Sequence, residues 1–232
     1  MENIRAITLD LDDTLWEIGP VIRRAESELW RWFERHYPNV VDTYTPESAL
    51  ELRQAVVEQH RHKAHDFSFL RRKALAAMAT GAGYEAAIAE SAFEVFQRWR
   101  NTVELFADVQ PALQRLQSRY RVIAVTNGNA SLDQIGIGDY FHGFVNAAGA
   151  GAAKPAAQIF NQAVAAAGVS ASEVLHVGDH PDLDVAGAAA AGLRTAWMNR
   201  LGAEWPDGLE RPDAEVTDML ELDAVLEGSQ VG

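Results

Sequence analysis

"ITLDLDDTLW", residues Ile7 to Trp16, decides how the rest of the chain is read. Its opening is apolar and β-prone and predicts a buried strand over residues 4–10. The run then places Asp10, Asp12 and Asp13 within four positions. Like charges at the end of an apolar strand repel one another and resist burial. The stretch therefore demands a positive charge from outside itself.

A strand also needs partners, and the sequence that follows offers none for a long way. After Gly19-Pro20, residues Val21, Ala25, Leu29, Trp32 and Phe33 recur at helical spacing. Pro46 opens a second helical stretch, "FLRRKALAAMAT" predicts a third ending at Gly81, and "EAAIAESAFEVFQRWR" a fourth. From about residue 103 helix and strand alternate: helix "VQPALQRLQSRY", strand "RVIAVTNGN", helix "AAQIFNQAVAAAG", strand "EVLHVGDH", helix "DLDVAGAAAAG", strand "LRTAWM". Such alternation predicts an α/β fold, a parallel sheet covered by helices on both faces. The first strand has only that later sheet to join. The core is thus expected to be discontinuous, residues 1–16 and 101–232, with a four-helix domain inserted at residues 17–100.

With 20 basic and 33 acidic residues the net charge is −13, which disfavours nucleic acid and anionic membrane as partners. The chain has no cysteine, so disulfides, thiolate catalysis and cysteine-ligated metal sites are excluded. No signal-peptide pattern opens the sequence and no apolar run is long enough for a bilayer, so a cytoplasmic protein is expected. Monomer and homodimer both stay open.

Three predicted strands end in polar residues: the first at Asp10 and Asp12, the second at Thr126 and Asn127, the third at Gly178-Asp179. Ligand sites in open parallel sheets gather beyond the carboxyl ends of strands, so these endings should converge. With Asp184 added, the carboxylates suit a hard divalent cation, and Mg²⁺ fits a site with few protein ligands. That is the charge missing from the opening stretch. A carboxylate beside Mg²⁺ is a competent nucleophile toward phosphorus. Thr126 offers a hydroxyl and Asn127 an amide to phosphoryl oxygens, and Lys154 a compact cation.

"DLDDTL", "VTNGN", "KP" and "GDHPDLDVAGAAAAG" resemble, in order, the four motifs of the haloacid dehalogenase-like hydrolase superfamily. The resemblance implies a Rossmann-like core with a helical cap inserted after the first motif. It implies Asp10 as the nucleophile of an aspartyl-phosphate intermediate. Asp12 would be the acid and base, with its backbone carbonyl on the metal. Asp179 would be the third metal contact, Thr126 and Lys154 would hold the phosphoryl group, Lys154 would also orient Asp10, and Asp184 would stand in the outer shell. Leu183 and His180 depart from the commoner residues of the fourth motif. "GPVIRRAE", "LRQAV", "VTNGNA" and "IGDYF" are similar to the bacterial branch of flavin mononucleotide and riboflavin-precursor phosphatases. A small phosphorylated metabolite is the expected substrate. A phosphomutase, a haloacid dehalogenase and a non-catalytic binding domain are the alternatives on the same fold. In the insertion, "HRHKAHDF" suggests solvated or packing histidines over a metal site, while Arg71 and Arg72 either reach a substrate or form a charged outer face.

Overall fold

The computed structural model describes residues 3–228. Six strands form one sheet: β1 (Ala6–Leu9), β2 (Arg121–Thr126), β3 (Gly143–Asn146), β4 (Val174–Gly178), β5 (Arg194–Met198) and β6 (Ala214–Val216). Their order is β3-β2-β1-β4-β5-β6 and every pairing is parallel. The first strand does join the later sheet, at its centre, between β2 and β4. All four residues of β1 and all five of β4 are buried, as central strands covered on both faces must be. β3 and β6 were not expected from the sequence. They are four and three residues long and stand at the edges, too short for alternation to show.

The chain divides into two compact units. One comprises the described residues up to Glu17, then Glu104–Gly128, and Gly136 onward; the other comprises Ile18–Val103 with Asn129–Ile135. In the first unit, the helix Ala157–Ala167 lays Ile159, Phe160, Ala163 and Ala167 into a core shared with Ile123, Val125 and Val174. The chain segments that leave and re-enter this unit are tied together: Phe106 N–H donates to the Leu15 carbonyl at 3.0 Å.

In the second unit four long helices, Ile18–His36, Pro46–Gln59, Phe67–Gly81 and Ile88–Arg100, are joined by a short one, Pro38–Thr43. Leu29, Phe33, Leu75, Met78, Phe93 and Phe96 form its core. Thr45 caps the helix that Pro46 opens, in a reciprocal box with Ser48, and Asp66 caps the next by accepting from Phe69 N–H at 2.9 Å. The segment Asn129–Ile135 belongs here through side chains: Asn129 Nδ2 donates to Ser68 Oγ at 3.2 Å, and Ser131 N–H to Asn101 Oδ1 at 2.8 Å. Among the described residues no helix is long and apolar enough to cross a membrane.

Candidate active site

The loop beyond β1 carries the three aspartates in three different settings. Asp10 continues the strand, donating its N–H to Val177 O at 2.9 Å. Asp13 takes a left-handed backbone, φ 59°, which aspartate tolerates better than most residues. That turn folds the loop back, so Asp13 N–H reaches Trp16 O and Leu15 N–H reaches Leu11 O, each at 2.8 Å. Asp12 is held from the side: Trp16 Nε1–H donates to its Oδ1 at 3.0 Å.

Lys154 enters from the loop before the helix Ala157–Ala167. Its Nζ lies 2.5 Å from Asp10 Oδ1 and 2.6 Å from Asp184 Oδ1, all three side chains being buried. Asn127 places that lysine. Its Nδ2 donates to Lys154 O at 3.1 Å and its Oδ1 accepts from Lys154 N–H at 2.7 Å. The amide expected to face a phosphoryl group is therefore engaged at both ends by the backbone of Lys154. Thr126 is buried at the end of β2, and its Oγ1 accepts from Gly128 N–H at 2.9 Å.

β4 supplies the remaining pieces. Asp179 Oδ1 accepts from Thr14 Oγ1 at 3.2 Å, and its carbonyl accepts from Trp197 Nε1 at 2.7 Å. After it the chain makes a single π-helical turn, Pro181–Ala186, a distortion common at functional sites. His180 caps this turn, Nδ1 accepting from the N–H groups of Asp182 and Leu183 at 3.2 Å each. Its own N–H donates to Asp184 Oδ2 at 3.0 Å. Gly178 makes room for Asp184: a Cβ there would lie 2.3 Å from the Asp184 carboxyl carbon.

Asp10, Asp179 and Asp184 each offer an oxygen within 4.8 Å of the others. The electrostatics divide them. Asp184 is buried, which opposes its charge, but Lys154 and His176 outweigh that and hold its carboxyl below the usual range. Burial likewise opposes the charge of Lys154, yet Asp10 and Asp184 raise its pKa. Asp10 is raised well above the ordinary value by burial, with Asp184 and Asp179 adding to it against Lys154. Asp179 is pushed up to about 6 by burial and by Asp184 and Asp13. One lysine thus faces three carboxylates, and the deficit falls on Asp10 and Asp179. An all-oxygen donor set short of positive charge fits a hard divalent cation. The oxygens of Asp184 are already taken by Lys154, His176 and the His180 N–H, which leaves Asp10 and Asp179 as the side chains to hold it.

Thr14, Trp16, His176 and Trp197 escaped the sequence reading. Trp16 stands four residues after Asp12, and His176 breaks an otherwise apolar strand. Those were the available signals. In the helical unit, Arg71 bonds Glu26 at 2.9 Å with its guanidinium 3.5 Å from the centre of the Phe96 ring. Arg72 does the same with Glu90 and Phe93, at 2.9 and 3.7 Å. His60 packs edge-on against Phe69, ring centres 5.3 Å apart.

The chain has relatives among named phosphatases and a named dehalogenase. 5-Amino-6-(5-phospho-D-ribitylamino)uracil phosphatase YigB of Escherichia coli is 33% identical over 199 residues, 84% of this chain and 83% of that one. A glyceraldehyde 3-phosphate phosphatase of Methanopyrus kandleri is 29% identical over 93% of this chain and 91% of its own. The crystal structure of a 2-haloacid dehalogenase from Pseudomonas syringae superposes with a TM-score of 0.92 at 37% identity, covering 97% of this chain and 99% of that one. A family model of haloacid dehalogenase-like hydrolases matches residues 4–192. Those residues include the loop beyond β1, the lysine and the acidic turn, and the chain belongs to the haloacid dehalogenase-like hydrolase family.

Proposed function

We propose that the chain is a Mg²⁺-dependent phosphomonoesterase acting in the cytoplasm on a small phosphorylated metabolite, through an aspartyl-phosphate on Asp10. The observation that carries this reading is Lys154 Nζ seated between Asp10 and Asp184, beside an Asp179 whose pKa burial, Asp184 and Asp13 raise against the pull of Lys154. Lys154 fixes the Asp10 carboxylate and offsets charge on the incoming phosphoryl oxygens, with the Thr126 hydroxyl as a second contact. An Asp10 oxygen bonds to phosphorus as the ester P–O bond breaks, and Asp12 gives its proton to the leaving oxygen. Asp12, still oriented by Trp16, then takes a proton from water. That water attacks phosphorus, inorganic phosphate departs and the Asp10 carboxylate is restored. Mg²⁺ held by Asp10, Asp179 and the Asp12 carbonyl would supply charge neutralisation for the carboxylates and the phosphoryl group.

The similarity to YigB supports 5-amino-6-(5-phospho-D-ribitylamino)uracil as the substrate, and the motif resemblance adds flavin mononucleotide. The likeness to a named 2-haloacid dehalogenase supports a second reading, attack of Asp10 on carbon with release of halide. The acidic cluster favours the first, since carbon attack has no need of a cation. Phosphate release from flavin mononucleotide, the ribitylamino-uracil phosphate and sugar phosphates, alongside halide release from 2-chloropropionate, tests both. Metal-dependent phosphate release, abolished by EDTA, is expected. Halide release without phosphate release would replace this reading with the second.

A further inference from the structure

Thr8 and His176 are a buried polar pair that the chemistry above leaves unused. They are register partners on β1 and β4, 0% and 1% exposed, in the middle of the sheet. Thr8 Oγ1 lies 2.8 Å from His176 Nδ1, and His176 Nε2 lies 3.1 Å from Asp184 Oδ1. Phe160 packs against the imidazole edge, ring centres 5.1 Å apart. An imidazole in such a place is costly unless both nitrogens are satisfied, and here both are.

The partners fix the tautomer. A charged Asp184 only accepts, so the proton sits on Nε2. Burial lowers the histidine pKa and keeps the ring neutral, so Nδ1 accepts the Thr8 hydroxyl. The donors then run in one direction: Thr8 to His176, His176 to Asp184, and Lys154 to both Asp184 and Asp10. We infer that His176 is a positioning residue, its Nε2–H, oriented by Thr8, fixing Asp184 so that Asp184 Oδ1 holds Lys154 against Asp10. The effect on rate rests on the phosphatase reading; the geometry does not.

Two isosteric variants separate positioning from packing. Glutamine reaches as far as Nε2 and keeps a donor for Asp184, whereas asparagine reaches only to Nδ1 and keeps a partner for Thr8. With p-nitrophenyl phosphate and Mg²⁺, His176→Gln should hold kcat within about threefold of the parent, and His176→Asn should lower it by about tenfold or more at unchanged KM. Crystal structures of the two should show Lys154 on Asp10 in the first and displaced in the second. Nitrogen-15 NMR of the unsubstituted protein should show the Nε2–H tautomer. Equal losses that follow thermal stability, an undisturbed Lys154–Asp10 contact in His176→Asn, or an Nδ1–H tautomer would each overturn the inference. If the parent releases no phosphate, the phosphatase reading falls, and the tautomer and the two crystal structures still decide the role of His176.

Discussion

At the carboxyl ends of β1 and β4 one buried lysine faces Asp10, Asp179 and Asp184; among the helices of residues 18–103 one carboxylate, Glu26, receives both Arg53 and Arg71. The helical cluster has the opposite imbalance, two guanidiniums to one carboxylate. The Arg71 guanidinium bonds Glu26 and lies over the Phe96 ring, while burial and the neighbouring Arg53 lower its pKa. The strand-end cluster stays open. Its carboxylates are set by backbone that the sheet holds in place, so they cannot separate to relieve their repulsion. Carboxylates crowded on fixed backbone call for a cation, whereas an excess guanidinium can rest over an aromatic face.

The sharpest way to break this contrast is Asp10→Asn. It should lower phosphate release by about 10⁴-fold or more, because the proposed nucleophile is gone. The melting temperature should hold or rise, since one repelling charge leaves the cluster. Calorimetry beside a phosphate assay checks both, and near-normal turnover would dismiss Asp10 as nucleophile. Lys154→Met comes next. It strands Asp10 and Asp184 without their cation, so turnover should vanish and urea denaturation should show a loss of about 3 kcal/mol or more. A variant as stable as the parent would mean that the lysine is not the element that balances the site.

Arg71→Met probes the other cluster. Glu26 keeps Arg53, so a loss of about 1–3 kcal/mol is expected with kcat unchanged. A collapse of kcat at full stability would show that Arg71 serves the chemistry as well as the helices. The smallest effect is the pH dependence of metal stabilisation. The folded-state value of about 6 for Asp179 lies above its ordinary 3.8, so metal-free folded protein binds more protons than unfolded chain between those values. Its stability therefore falls as pH rises from 3.8 to about 6. A bound cation removes that loss. Mg²⁺ should raise the melting temperature by a few degrees, and more at pH 7 than at pH 5. Equal shifts at both would detach Asp179 from the metal.

Much of this site could be read from residue types. Asp10 and Asp179 stand out because charged groups at the ends of apolar strands need a reason to be there, and Lys154 through the motif it forms with Pro155. Asn127 reads as an amide for phosphoryl oxygens; that the amide instead latches Lys154 depends on a contact across 27 residues. Arg71 and Arg72 were equally ambiguous, because a helix places a cation on a face without saying what faces it. β3 and β6 stayed hidden, being edge strands of a few residues whose pairing, not their pattern, makes them strands.

The sequence by itself determined the α/β core, the helical insertion and the acidic strand ends, since hydrophobic periodicity and residue chemistry are local properties. That Asp184 shares the lysine with Asp10, and that Asp179 is left short of charge, came from the tertiary structure alone. It also brought Thr8, on the first strand, opposite His176, 168 residues later. Register between neighbouring strands and the accompanying desolvation are properties of two segments at once, and no single stretch of the chain contains them.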